Sequence, residues 1–311
     1  MARPGEWVPE PLEVLVVSWF SARWVERLVG NLRHHAAGPL RFSVVDNSGG
    51  EDGDLAHLAR ATTDLAIVRR DAGGMTGSRA HAAGLAAAVA GSSSRHVLVT
   101  DPDVHVLLDG WDARWLAELE ATGAVAAGAP YPWWKLGKVH DFPSPVFLLA
   151  RAADLRELGN DWSPFAAGLG RRLAHRAGRQ VVRLGLLASR ERLLARPRLA
   201  RVARALERRV GVCAPDTGWR LAAAARHRRR AALLFDEVTP RAAAERWRAA
   251  GALAGLAAHF ELFAHRGEPA LVHRYSTGGY LWRTPRSADE GYWLDRTAAA
   301  EEELAAGVGR R

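Results

Sequence analysis

Two aspartates separated by one residue are the part of this sequence best suited to chemistry. The segment Asp101-Pro102-Asp103 directly follows an apolar run at 96–100. Two like charges ~4 Å apart repel by roughly 4 kcal/mol at an effective dielectric constant of about 20, so a cation would relieve the pair. Oxygen ligands suit Mg²⁺ or Mn²⁺, which complete their coordination with water and substrate phosphates. Asp101 and Asp103 are therefore predicted metal ligands; the competing interpretation is a turn or helix-capping pair.

The elements around these acids alternate between strand and helix patterns. Short apolar runs rich in β-branched residues predict buried parallel strands, and apolar residues recurring every three or four positions predict helices between them. Such alternation indicates an α/β fold with a mostly parallel sheet flanked by helices. The predicted strands are 14–17, 42–45, 66–68 and 96–100, and the predicted helices are 24–32, 76–90 and 112–121.

Acidic residues follow two of the predicted strands. Asp46 ends the second strand, and Asp101 begins directly after the fourth. Ligands of parallel α/β sheets bind at the carboxyl ends of the strands. We therefore expect Asp46 and the Asp101–Asp103 pair to lie at one functional edge of the sheet.

The composition is that of a globular protein with a basic surface. Of 311 residues, 48% are hydrophobic and 25% charged, and Lys and Arg number 43 against 34 acidic residues, a net charge of +9. These values argue against a disordered chain, and the single cysteine, Cys213, excludes an internal disulfide or a cysteine zinc cluster. No apolar run reaches membrane-spanning or signal-peptide length. We expect a cytoplasmic protein, and peripheral contact with the inner face of the membrane is compatible with this location.

Four segments, taken in order, resemble glycosyltransferase family 2, whose members have the GT-A fold. The resemblance covers about the first 130 residues and is loose beyond residue 150. It implies a nucleotide-sugar-binding half at 1–130 and an acceptor-binding half at 131–311, within one catalytic domain. The matching segments are VLVVSWFS at 14–21, VVDNSG at 44–49, GGMTGSRAHAAGL at 73–85 and VLVTDPD at 97–103.

The resemblance also implies roles for individual residues. The implied donor is a nucleotide diphosphate sugar whose nucleotide is UDP, GDP or dTDP. The implied cofactor is Mn²⁺ or Mg²⁺. His273 would complete the metal coordination of Asp101 and Asp103, and Arg283 would reach the diphosphate. Contacts to the donor nucleotide or diphosphate are implied for Ser18, Trp19, Asp46, Arg79 and Asp101.

The catalytic base implied by the resemblance is an aspartate before a helix, and Asp216 is the candidate. A carboxylate there could take the proton of an acceptor hydroxyl, which gives an inverting transfer. Pro215 stands where the family often has an acid, and a helix N-cap is the competing role of Asp216. Asp161 and Asp141 are the alternative bases.

Two further segments have open interpretations. The aromatic loop Tyr131–Trp134 could stack on a sugar or fill the core. An additional Arg-rich helical insert at about 166–212 could cover the core, contact an anionic membrane or bind an anionic acceptor. No recognisable nucleic-acid-binding module accompanies the arginines, so nucleic acid is not an expected partner.

Three other functions share part of this pattern. A dinucleotide-dependent oxidoreductase would have Gly-x-Gly-x-x-Gly after the first strand, where Ser18 to Arg23 contain no glycine. A nucleotidyltransferase would usually have a glycine- and basic-rich loop at the same place. A non-catalytic protein that binds a nucleotide sugar or a membrane surface keeps the same sequence features and stays an alternative.

Overall fold

The computed structural model describes residues 10–164, 168–247, 250–274, 284 and 286–307. Its centre is a seven-stranded sheet, and a second sheet of four strands lies beside it. The strands are β1 (Leu12–Ser18), β2 (Leu40–Asp46), β3 (Leu65–Arg69), β4 (His96–Thr100), β5 (Val104–Val106), β6 (Ala126–Pro130), β7 (Pro143–Arg151), β8 (Ala232–Leu234), β9 (Asp236–Val238), β10 (Glu261–His265) and β11 (Glu268–His273).

Helices connect most of these strands. The predicted helices in the first half are present, and the apolar stripe of the first one is buried against the sheet. The helices are α1 (Ala22–His35), α2 (Gly53–Ala61), α3 (Ser78–Gly91), α4 (Trp111–Thr122), α5 (Ala152–Glu157), α6 (Leu169–Val182), α7 (Arg190–Ala195), α8 (Pro197–Val210), α9 (Trp219–His227), α10 (Pro240–Arg246), α11 (Gly251–His259) and α12 (Glu290–Ala305).

The central sheet confirms the predicted α/β class. Its strand order is β3-β2-β1-β4-β7-β6-β8. Six strands run in the same direction, because β7 alone in this sheet pairs antiparallel with both of its neighbours. Alternate residues of β1 enter two cores: Val14 and Val16 pack with α1, α2 and α4, whereas Leu15 and Val17 pack with α3, α5 and α9. Helices therefore cover both faces, as expected for a buried parallel sheet.

The second sheet was not anticipated from the sequence. Its order is β5-β11-β10-β9, and all of its pairs are antiparallel. Three residues separate the end of β4 from the start of β5, so the segment that contains the two aspartates links the two sheets. Helices α10, α11 and α12 pack on this sheet and form a third core with it. The proposed division of the chain into two functional halves at residue 130 stays a prediction.

The Arg-rich segment is helical, as predicted, and consists of α6, α7 and α8. It packs around Trp134 and Leu136, whose side chains are fully buried. The outer side of α6 carries exposed apolar residues, including Leu169 and Leu173. None of the helices in the described ranges is both long and apolar enough to cross a bilayer.

Candidate active site

The carboxyl ends of three neighbouring strands bring the predicted donor residues together. Ser18 ends β1 and lies opposite Asp46, which ends β2. On the other side of β1, Val16 is paired with Thr100, the residue before Asp101. Ser18 and Asp46 are buried, whereas the side chain of Asp101 is partly exposed. The sequence-based expectation of one shared edge is therefore met by the register of the strands.

Asp101, Asp103 and His273 form a compact group of ligand atoms. Each offers one atom, and these atoms all lie within 4.8 Å of one another. The Nε2 atom of His273 is 3.2 Å from Asp103 Oδ1 and 3.7 Å from Asp101 Oδ2. Two carboxylates and one imidazole suit Mn²⁺, and the carboxylate oxygens also suit Mg²⁺. The donor set therefore fits the predicted cation.

Backbone pairing between the two sheets places His273 in this group. His273 is the last residue of β11 and is paired with Val104 of β5. The backbone N–H of Arg274 donates to the carbonyl oxygen of Asp103 at 3.1 Å. The imidazole therefore reaches the two aspartates because the second sheet is built onto the segment that carries them.

The three side chains act as one electrostatic unit. Burial raises the pKa of Asp101, as do the negative charges of Asp103 and Asp216, while His81 and His273 oppose the rise. Burial alone would lower the pKa of His273, but Asp103 and Glu261 raise it to about 10. Positive charge is thus favoured between the carboxylates, which is the condition that a cation site requires.

A buried ion pair supports His273 from behind. Glu261 Oε2 accepts a hydrogen bond from His273 Nδ1 at 3.0 Å, and Glu261 Oε1 lies 2.5 Å from the ammonium of Lys135. Burial opposes ionisation of Glu261, but Lys135 and His273 together outweigh it and lower the carboxyl pKa to about 2. Burial likewise lowers the pKa of Lys135. This arrangement fixes the ring so that Nε2 faces the aspartates, as ligand histidines require.

Sequence reasoning missed Glu261 and Lys135. The available signal was an acid inside the apolar run Phe260-Glu261-Leu262-Phe263. Such an acid is almost never fully buried unless it has a partner, but nothing in the sequence names that partner. His81 on α3 was also missed, although its Nε2 lies 3.5 Å from Asp101 Oδ1.

Asp216, the predicted base, lies at the same end of the molecule and is held by three groups. Its carboxylate pairs with the ammonium of Lys138, accepts from the Ser78 hydroxyl at 2.8 Å and accepts from the Thr217 backbone N–H at 2.9 Å. Burial raises its pKa, but Lys138 and the hydrogen bonds outweigh burial and lower the pKa to about 2. The carboxylate is therefore ionised at neutral pH and near enough to influence Asp101.

The alternative bases are engaged elsewhere. Asp161 lies 3.0 Å from the Arg220 guanidinium. Asp141 is mostly exposed and forms a bidentate pair with Arg226. Asp216 is therefore the candidate base that the structure brings into electrostatic contact with the metal ligands.

The residues predicted to contact the nucleotide differ in their surroundings. Asp46 is 2% exposed, and its Oδ1 accepts hydrogen bonds from the backbone and the hydroxyl of Ser48 at 2.9 and 2.6 Å. Ser18 Oγ is 2.8 Å from Ser21 Oγ. Trp19 is 70% exposed at the strand end, so it does not serve core packing. Its ring is free to stack on a flat ligand group such as a base.

Arg79 lies at the start of α3 and lines two adjoining clefts. One cleft, of about 450 Å³, also contains Asp161, Arg172 and Arg220. The other, of about 280 Å³, is lined by Arg172, Arg176, Arg179 and residues 213–215. The clefts are thus strongly cationic and reach the residue that precedes the candidate base.

The aromatic loop has divided roles. Trp134 is fully buried, with the Arg190 guanidinium 5.3 Å from its ring centroid, so it fills the core. Tyr131 is half-buried and borders the small pocket that contains Asp216. The ammonium of Lys138 lies 5.1 Å from the Tyr131 ring. Arg283 lies outside the described residues.

Comparisons with known proteins give remote similarities to solved structures. No family model matches the chain, and no curated protein matches it. The mannosyltransferase PcManGT from Pyrobaculum calidifontis, solved with GDP-Man and Mn²⁺, is 15% identical at a TM-score of 0.41, over 99% of this chain and 90% of that one. S. aureus TarS is 15% identical at a TM-score of 0.36, and the match covers 50% of this chain and 52% of the TarS chain. The galactosyltransferase LgtC is 14% identical at a TM-score of 0.37, and the match covers 47% of this chain and 60% of the LgtC chain.

The aligned region thus spans little more than half of the TarS and LgtC chains. PcManGT and LgtC are sugar transferases by name. Membership of glycosyltransferase family 2 itself stays a prediction.

Proposed function

We propose that this protein is an inverting glycosyltransferase that moves a sugar from a nucleotide diphosphate sugar to an acceptor hydroxyl. The observation that carries the proposal is the grouping of Asp101, Asp103 and His273 at the carboxyl edge of the sheet. The same edge presents Ser18 and Asp46. A cation site beside a nucleotide-binding strand edge is what diphosphate recognition needs.

Three side chains hold the cation in this proposal. Asp101 and Asp103 supply carboxylate oxygens, and His273 supplies Nε2. When bound, the divalent cation acts as a Lewis acid that stabilises the charge developing on the leaving diphosphate. Glu261 keeps the His273 ring oriented through its hydrogen bond to Nδ1.

The nucleotide lies over the ends of β1 and β2. Asp46 has a second carboxylate oxygen, Oδ2, which accepts no hydrogen bond from the described residues, and this atom can accept from a base or ribose group. Trp19 offers an exposed ring for stacking against the base. Arg79 is a cation that lines both clefts and would contact the donor phosphates or the sugar.

Asp216 takes the proton of the acceptor hydroxyl. Its low pKa keeps the carboxylate ready at neutral pH, although a carboxylate with so low a pKa is a weak base. The transfer therefore suits a displacement in which the hydroxyl becomes acidic only as its oxygen bonds to the anomeric carbon. Attack from the face opposite the diphosphate inverts the configuration. The cationic clefts beside Pro215 are the place for the acceptor.

The test uses one isosteric substitution and a matched control. Asp103→Asn removes a ligand charge without changing volume, and Asp54→Asn makes the same change at an exposed position on α2. We would measure hydrolysis and transfer of UDP-, GDP- and dTDP-sugars with Mn²⁺. We would also measure how much each nucleotide sugar, together with Mn²⁺, raises the melting temperature of the protein. Asp103→Asn should abolish turnover while circular dichroism stays unchanged, and Asp54→Asn should retain it.

Two results would contradict the proposal. Full wild-type turnover in excess chelator would remove the cation from the reaction. If none of the nucleotide sugars stabilises the protein in a metal-dependent way, the alternative of a non-catalytic binding protein is favoured instead. Circular dichroism shows whether both variants remain folded, so a loss of turnover can be told apart from a loss of structure.

A further inference from the structure

The outer side of α6 and the turn that follows it expose an unusual amount of apolar surface. Leu169 and Leu173 are 69% and 54% exposed, and Val181 on the same helix is 49% exposed. Leu186 and Leu187, in the turn after the helix, are 55% and 44% exposed. We call these five residues the apolar face. Leu169 and Leu173 are one helical turn apart and Val181 is two turns further, so the helix presents them as a stripe.

Arginines flank the apolar face. Between Asp161 and Glu191 the sequence contains no acidic residue. Within the described ranges, Arg171, Arg172 and Arg176 form no ion pair, so their charges are not neutralised by the protein. An apolar stripe beside uncompensated arginines is the pattern of a helix that lies in the plane of an anionic bilayer.

We propose that α6 and the turn at 183–187 dock this protein onto an anionic lipid surface. The leucines and Val181 enter the boundary between headgroups and acyl chains, and the arginines contact lipid phosphates. The helix lies on the surface and does not cross it, since none of the described helices can span a bilayer.

Charge complementarity selects lipid over a second copy of this chain. The face carries only positive charge over its length, so two copies meeting face to face would repel. An anionic membrane supplies a continuous layer of phosphate and also takes up the leucines. A neutral protein groove would accept the leucines but would leave the arginines without partners.

Docking would also fix the orientation of the clefts. Arg172 and Arg176 line the cationic cleft that reaches Pro215, next to Asp216, and they lie on the same helix as the apolar face. The cleft would then lie at the level of the lipid headgroups. The docking itself does not depend on the proposed sugar transfer and can be tested without a sugar donor.

The experiment is co-sedimentation of the full chain with vesicles. Phosphatidylcholine vesicles are compared with vesicles of phosphatidylcholine mixed with phosphatidylglycerol, at low and high salt. The double variant Leu173→Asp/Leu186→Asp removes the apolar contact, and Val68→Asp makes the same kind of change at an exposed valine on β3. Circular dichroism and donor hydrolysis without vesicles show whether the variants remain folded.

A second pair of variants tests the charges. Arg172→Gln/Arg176→Gln removes the two arginines that lie beside Leu169 and Leu173 on the helix, and Arg60→Gln/Arg241→Gln removes two exposed arginines from other helices. Both pairs lower the net charge equally, so net charge cannot account for a difference between them; Arg241 also pairs with Glu245 at 2.7 Å, an exposed ion pair that contributes little to stability. Long-range attraction to the vesicle would respond to net charge, whereas docking through α6 responds to position.

The expected results are specific to this face. Wild-type protein should bind the anionic vesicles and be released by salt, and the leucine variant should bind at least about tenfold more weakly. Arg172→Gln/Arg176→Gln should lower the affinity for anionic vesicles about tenfold or more, by the usual contribution of arginines near an anionic surface. Both control variants should bind within about twofold of wild type, a change too small for the loss of a buried contact.

Three outcomes would overturn the proposal. The first is wild-type protein that stays in solution with both vesicle types at low salt. The second is an equal loss of binding in the leucine variant and in Val68→Asp. The third is a dimer, seen by size-exclusion chromatography with light scattering and abolished in the leucine variant, which would assign the face to a second copy of the chain.

Discussion

Replacing Glu261 with glutamine should weaken Mn²⁺ binding without touching a metal ligand. Glutamine has the same shape as glutamate, so it removes charge but little volume. In the wild-type protein the carboxylate accepts the Nδ1–H of His273 at 3.0 Å and is 3% exposed. With glutamine the acceptor becomes neutral, and the side-chain amide can rotate to place its NH₂ group against the imidazole. The ring then loses both its fixed orientation and part of its basicity.

The magnitude follows from the role of this contact. Partners of ligand histidines typically change metal affinity by about 10–100-fold when they are removed. Such a change corresponds to about 1.4–2.8 kcal/mol of binding free energy. The substitution also leaves Lys135 without the charge of Glu261. Loss of one partner of a buried pair costs about 3–5 kcal/mol of folding stability unless the survivor becomes neutral. Burial already lowers the pKa of Lys135, which favours its neutral form in the variant.

The assay is isothermal titration calorimetry with Mn²⁺ alone, at a temperature where both proteins are folded. Glu118→Gln provides the matched control, because Glu118 Oε2 accepts from His265 Nε2 at 2.8 Å, and His265 is also on β10. This pair has the same chemistry as the pair of Glu261 and His273, but it is not part of the metal group. We expect Kd for Mn²⁺ to rise about 10–100-fold in Glu261→Gln and to stay at the wild-type value in Glu118→Gln.

One result would refute this reasoning directly. If Glu261→Gln remains folded by circular dichroism and binds Mn²⁺ with the wild-type Kd, the orientation of His273 does not depend on Glu261. Lys135→Met separates the stability effect from the binding effect. It keeps the hydrogen bond between Glu261 and His273, so it should lower the melting temperature but change Kd much less than Glu261→Gln.

Two further predictions concern the base and the nucleotide. Because the folded-state pKa of Asp216 is lowered to about 2, its carboxylate stays ionised at all higher pH, and the stability that ionisation adds is lost only as pH falls from about 4 toward 2. In Lys138→Met, burial remains while the cation is gone, so the Asp216 pKa rises and the acidic limb of the kcat/KM profile should move to higher pH; an unmoved limb would contradict the role of Asp216 as base. Trp19→Ala should weaken binding of the matching nucleoside diphosphate by about 1–3 kcal/mol if the ring stacks on the base, and unchanged affinity in calorimetry would place the base elsewhere.

The first half of the fold could be predicted because its signals are local. β1 and β4 contain the short apolar runs 14–17 and 97–99, and β2 contains Phe42, Val44 and Val45; aspartates mark the ends of β2 and β4. The second sheet was not predicted, because β5 and β9 are three residues long and acquire their partners from far along the chain. Such short strands have no period of their own, so their pairing is decided by tertiary contacts.

The site divides in the same way. The aspartate pair could be identified from spacing and position, and the family resemblance implied His273 and Asp216. Lys135 was not predicted as a partner of Glu261, which is distant in sequence and on a different element. Lys138, which pairs with Asp216 across 78 positions, was missed for the same reason. Sequence patterns identify groups that chemistry needs, but not the buried counter-charges that set their pKa values.

The spacing of the two aspartates has a structural reason beyond repulsion. Asp101 directly follows β4 of the central sheet, and Asp103 directly precedes β5 of the second sheet. Pro102 is the single residue between them, and its fixed φ limits how the chain can turn there. Each carboxylate therefore lies next to a different sheet, and the two can converge only if both sheets hold their positions. His273 joins them through β11, which is hydrogen-bonded to β5. A substitution that loosens the pairing of β5 with β11 should therefore weaken metal binding even though every ligand remains.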